Sequence, residues 1–78
     1  MTDGITLRRI IKANGIKLGF ICKKLNISRA TFRGRLNNNT EFTAKEIMTI
    51  SDILNLTSQS RDSIFFADVS ELKSQHKE

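Results

Sequence analysis

Apolar residues recur along this chain at the three- and four-residue spacing of helices, and short polar clusters interrupt them. Leu7, Ile10 and Ile11 predict a helix over about residues 5–13, with Thr2 or Asp3 capping its start. Asn14-Gly15 ends it, since Gly15 can adopt a left-handed conformation; Ile16 is then expected to turn inward. Ile21, Cys22 and Leu25 mark one face of a second helix, about 18–25. Asn26 tolerates the left-handed region, and Ser28 is a good N-cap. They flank Ile27 and lead to a third helix, about 29–36, that buries Phe32 and Leu36. The polar run 37–40 closes it. Thr43 and Glu46 have the spacing of a capping box. They open a fourth helix with a buried stripe of Ile47, Ile50 and Leu54, and with Met48 and Ile53 beside it. Residues 57–60 read as a polar break before a short fifth helix, about 60–67, carrying Ile64, Phe65 and Phe66. Residues 64–69 can also be read as a strand. The pattern predicts an all-α fold, a bundle of about five short helices over residues 1–67, followed by a polar tail over 68–78.

The size fits one domain: 78 residues, of which 22 are Ile, Leu or Phe, enough for one small core. A single cysteine, Cys22, rules out an internal disulfide and suits a reducing compartment. One histidine, His76, leaves no metal-ligand set. No catalytic residues, metal, cofactor or small-molecule ligand are therefore expected, and an enzyme is a distant reading. No apolar run reaches the roughly 20 residues of a membrane helix, and the first residues lack the features of a secretory signal. The expectation is a cytoplasmic protein.

Charge is distributed unevenly. Residues 4–40 carry nine Lys and Arg and no Asp or Glu, whereas residues 41–78 carry four basic and seven acidic residues. A half-chain of cations repels itself unless a polyanion lies beside it, and nucleic acid is the commonest such partner. The plainer reading is a solvated basic surface.

The second and third predicted helices, joined at Asn26-Ile27-Ser28, have the layout of a helix-turn-helix, whose second helix enters the major groove. Small Cys22 sits where one helix must cross the other. Taking about 100° per residue, Phe32 and Leu36 define the buried side of the third helix and Gly34 lies opposite; Ala30 falls about 40° from that outward line, Thr31 and Asn37 about 60°, and Arg33 and Arg35 about 100° on either side. A crest of small residues lets the backbone approach base edges, while flanking guanidinium groups reach phosphates or guanine. Arg29 in the first turn is expected to point along the axis toward the groove floor. Ala30 and Thr31 offer methyl groups to thymine. Gly34 and Gly19 each cost a helix about 0.8–1.0 kcal/mol relative to Ala. Close approach to DNA is one reason for Gly34, and a tolerated surface glycine is the other.

Residues 15–54 resemble the phage Cro and repressor-type (XRE-like) helix-turn-helix family, closest to the short Cro-like regulators of Gram-positive phages and mobile elements. The matching pieces are LNISRATFRGRLNN, EFTAKEI and the later IFF. The resemblance implies a lambda repressor-like bundle that binds double-stranded operator DNA, usually as a homodimer, and regulates transcription. It places Arg29, Ala30, Arg33 and Gly34 at base-reading positions. It also places Asn37, Asn38 and Thr40 in a loop that meets phosphate. The family often opens its first motif helix with a polar cap and a phosphate-gripping Gln, where this chain has Lys17 and Leu18. Lys17 would replace the grip electrostatically.

The remaining positions read more plainly. Lys23 and Lys24 suit phosphate contact or a solvated face, and Arg8, Arg9 and Lys12 read as a solvated face. Cys22 reads as a core residue and His76 as part of the tail. Phe65 is expected in the core, while Phe66 either closes the core or joins Val69 and Leu72 in a dimer contact. The leading rival function is a protein-interaction module on a Cro-like fold that modulates another repressor or polymerase, supported by an exposed Leu18. RNA binding is disfavoured, because the chain lacks Tyr and Trp for base stacking.

Overall fold

Residues 1–68 are described by a computed structural model. They form five helices: α1 (Gly4–Ala13), α2 (Leu18–Leu25), α3 (Arg29–Leu36), α4 (Ala44–Leu54) and α5 (Ser58–Phe65), with no strand among the described residues. The alternative strand at 64–69 is thereby excluded for its described part, since Ile64 and Phe65 end α5.

One device ends four of the helices. Gly15, Asn26, Asn38 and Asn55 all have positive φ, between 54° and 67°. In each case the following N–H bonds back five residues: Ile16 to the Ile11 carbonyl, Ile27 to Cys22, Asn39 to Gly34 and Leu56 to Ser51. This bond returns an otherwise orphaned carbonyl of the last turn to a donor. Three of those following residues, Ile16, Ile27 and Leu56, pack against the core. Helix starts are equally regular. Asp3, Ser28, Thr43 and Thr57 each accept a bond from the N–H three residues on, and Thr43 with Glu46 forms a full capping box.

The expected boundaries shift at two places. The polar residues 57–60 are not a break, because Thr57 caps α5 and the helix runs from Ser58 to Phe65. The break lies earlier, at Asn55-Leu56. Asp3, not Thr2, caps α1, and the helix begins at Gly4. Gly4 is there for space: a Cβ on it would run into the backbone carbonyl of Leu36, where α1 meets the end of α3.

The core centres on Leu7, Ile21, Phe32 and Ile50, all essentially inaccessible. Phe42, from the loop before α4, joins α3 to α5 by packing edge-on against Phe32 and Phe65, with ring centroids 5.6 and 5.4 Å apart. The fourth-helix stripe of Ile47, Ile50 and Leu54 is buried as its spacing requires, but Met48 is half exposed. Phe65 is buried and Phe66 is 64% exposed, so α5 ends with the two rings on opposite sides of the boundary. Val69, Leu72, His76 and most of the proposed tail lie outside the described residues.

The N-terminal segment, residues 1–3, is pinned between two helix ends. The Asp3 N–H donates to the Ile64 carbonyl at 2.7 Å and the Ala67 N–H to the Met1 carbonyl at 2.8 Å. The Asn38 side chain holds Thr2 from the other side.

Candidate nucleic-acid interface

The α2–α3 pair is built as the sequence requires. Asn26 turns the chain at φ 58°, and Ile27 sinks partly into the core. Ser28 then starts α3 by accepting the Thr31 N–H at 3.0 Å. Its hydroxyl also donates to the Thr31 hydroxyl, so Ser28 and Thr31 are tied to each other across the first turn. Phe32 and Leu36 face inward, which fixes the opposite side of α3 toward solvent.

That outward side carries the small crest. Ala30 is exposed, and a Cβ built on Gly34 would meet only the Thr40 hydroxyl, at 3.9 Å. Among the described residues no neighbour requires glycine there. Arg33 is exposed on one shoulder, and Lys17 and Asn37 are exposed at the margins.

Beyond the Ser28–Thr31 pair, three more of the predicted contact residues have partners inside the fold. Arg35, expected to mirror Arg33 as a free flank, instead donates from Nε to Glu46 Oε1 at 2.8 Å and from Nη2 to Oε2 at 3.2 Å. Its Nη1 donates to the Thr40 hydroxyl at 3.1 Å. The pair is mostly buried, with 16% and 10% of the two side chains accessible. Burial pushes the Glu46 carboxyl up. The Arg35 hydrogen bonds, the bond from the Thr43 N–H and the Arg35 charge outweigh that push and leave the group below its ordinary range. Asn38 is the second: its amide accepts the Thr2 N–H at 2.7 Å and donates to the Thr2 carbonyl at 2.9 Å. Thr40 is the third, taken up by Arg35. Spacing alone gave no sign of these partnerships, because Glu46 and Thr2 are distant in sequence and acquire their roles only when α4 and the N-terminus pack against α3.

Arg29 also has a neighbour within the fold. Its guanidinium lies against Gly19 in the first turn of α2, where a Cβ on residue 19 would come within 2.8 Å of Nη2. A side chain at residue 19 would displace only the flexible end of exposed Arg29, so this contact does not by itself require glycine there. Arg29 thus places its charge beside an α2 start that no side chain caps, because Lys17 occupies the capping position and makes no cap bond. The first-turn N–H groups of α2, Lys17 and Arg29 together form a cationic end suited to an anion. The charge of Arg29 is also felt by buried Cys22: burial pushes the thiol above its ordinary value of 9.0, and Arg29 pulls part of the way back. Leu18 is not exposed, as the rival reading had it, but half buried against the core. Lys23 and Lys24 are exposed on α2, with Lys24 Nζ 5.5 Å over the Phe20 ring.

Among the described residues no group of His, Cys, Asp and Glu is placed to hold a metal, and no helix is long and apolar enough to cross a membrane.

Two short helices about a left-handed asparagine, the second turned outward along a small-residue crest, define a helix-turn-helix. The sequence model of the Cro/C1-type HTH DNA-binding domain matches residues 6–59, from within α1 into α5, and the chain belongs to that family. No curated protein and no solved structure matches the chain.

Proposed function

We propose that this chain is a sequence-specific transcriptional regulator that occupies operator DNA with α3 in the major groove. Ala30, Thr31 and Gly34 lie closest to the base edges, with Arg33 reaching guanine or phosphate and Arg29 bridging the duplex and the start of α2. Lys17, Ser28 and Asn37 border the phosphate walls. Arg35, Asn38 and Thr40 belong to the same surface but act mainly by holding the α3–α4 turn in place. Regulation follows from occupancy of the promoter region, by occlusion or by recruitment of other proteins, and not from catalysis. A homodimer would place two copies of α3 about one helical turn apart on the duplex.

The observation that carries this reading is the open crest. Gly34 is partly buried, but a Cβ on it would meet only the Thr40 hydroxyl, at 3.9 Å, so packing among the described residues does not need a glycine there. Selection of binding sites from a pool of random duplexes tests it. The expected result is an enriched motif, and repeated half-sites in it would report the dimer. Recovery of no motif, with gel-shift affinities equal across sequences, would overturn sequence-specific recognition.

A further inference from the structure

A second surface adjoins the α3 face. A groove of about 290 Å³ runs between α1, the start of α2 and α3. Its floor is aliphatic: Ile11, Ile16, Leu18 and Leu36. Its rims are cationic, with Arg8 and Lys12 on the α1 side and Arg33 on the α3 side, and among the described residues no Asp or Glu lines it. Duplex DNA does not explain this combination. A phosphodiester strand is satisfied by the rim charges, but the apolar groups beside its phosphates are small sugar CH groups that do not fill a groove floored by four aliphatic side chains.

We infer that this groove docks an acidic helical segment of a partner protein, which inserts one large aliphatic side chain between carboxylates. The charges fit such a segment. Arg8 and Lys12 are four residues apart on α1, which separates them by about 6 Å along the helix axis. Carboxylates four residues apart on a partner helix have the same rise, and a third carboxylate across the inserted side chain meets Arg33. Apolar burial at the floor supplies affinity, and the rims select for acid. Leu18, which stands at the position where the resemblance led one to expect a polar phosphate grip, then has a use as floor.

The test is a titration of the isotope-labelled chain, followed by amide chemical shifts. The probe is a capped helical peptide of Glu and Ala with one central Leu and Glu residues one turn apart. The control peptide has Ser in place of that Leu. Saturable shifts clustered at Ile11, Ile16, Leu18 and Leu36 are expected. Binding should be at least about tenfold weaker for the Ser peptide, since the buried aliphatic group is lost. It should be similarly weakened in the R8E/K12E double variant, whose substitutions fall on the exposed side of α1 and whose helicity is checked by circular dichroism. Equal binding of the two peptides would reduce the site to general attraction between opposite charges and overturn the proposal. So would peptide shifts spread over the whole basic surface. If neither peptide binds and R8E/K12E instead weakens gel-shift affinity for random duplex, the groove is part of the phosphate footprint and the proposal fails. The peptide arm contains no DNA, so a chain that binds no duplex would overturn the proposed function and leave this inference standing.

Discussion

Arg35 reaches across from α3 to α4 and gives two of its nitrogens to the Glu46 carboxylate, at 2.8 and 3.2 Å. Glu46 also accepts the Thr43 N–H at 3.0 Å, so one carboxylate caps α4 and anchors the end of α3. The Glu46→Gln variant is expected to lose about 1–3 kcal/mol of stability at neutral pH. The pH dependence follows from the depressed pKa of Glu46. Folding stabilises its ionised form, so the contribution is complete above the ordinary value of 4.5 and disappears as pH falls through the lower folded value. Thermal unfolding between pH 7 and pH 3 should show the parent losing stability below about 4.5, with the variant losing less over the same window.

Two glycines give opposite predictions. Gly34→Ala meets no obstacle and should stabilise the fold by about 0.8–1.0 kcal/mol, the helix-propensity difference. Gly4→Ala drives a methyl group into the Leu36 carbonyl and should destabilise by about 1–3 kcal/mol. If the α3 crest lies against bases, the more stable Gly34→Ala protein also binds its selected duplex more weakly. Denaturant melts and gel shifts on the same preparations separate the two effects.

Asn38 combines a left-handed backbone, φ 63°, with a two-bond grip on Thr2. Replacing it with Gly removes the grip and keeps the backbone unstrained; replacing it with Ala removes both. The expected order of stability is parent, then Asn38→Gly, then Asn38→Ala, with the Gly variant about 1–3 kcal/mol below the parent because two backbone groups of Thr2 lose their partner. Hydrogen exchange at the Thr2 and Asp3 amides should accelerate in both variants.

Arg29→Ala and Arg33→Ala should each weaken binding to a selected duplex by about 1–3 kcal/mol if they contact bases, with little effect on melting temperature. Arg35→Ala should do the reverse, lowering stability more than specificity. Affinity of the parent should fall steeply with salt as phosphate contacts release counterions. An affinity independent of salt would contradict the electrostatic basis of the interface.

How much of this was legible in the sequence depended on whether the cause was local. The Ser28 cap, the Thr43 and Glu46 capping box and the turns at Gly15 and Asn26 all act over a few residues, and their spacing announces them. Asn55 uses the same turn chemistry, but in Asn-Leu it is a weaker break signal than the polar run 57–60 that follows, which instead caps and begins α5. The spacing of Phe32 and Leu36 identified the buried side of α3, but the exposed side centres on Ala30, Arg33 and Asn37, with Gly34 partly buried at its edge. What escaped were partnerships made by packing: Arg35 with Glu46, Asn38 with Thr2, Arg29 with Gly19, and Gly4 under Leu36. A helical wheel reports the direction in which a side chain leaves its helix, not the neighbour that then captures it.

The repeated left-handed helix ends keep the connections around α2 and α3 short, and Phe42 packs against the middle of α3 at Phe32. If α3 reads a duplex as proposed, a helix fastened in this way has little room to mould itself to it. Sequences that bend or twist easily toward its fixed shape would then be favoured even at base pairs it never touches, because the work of fitting falls on the DNA.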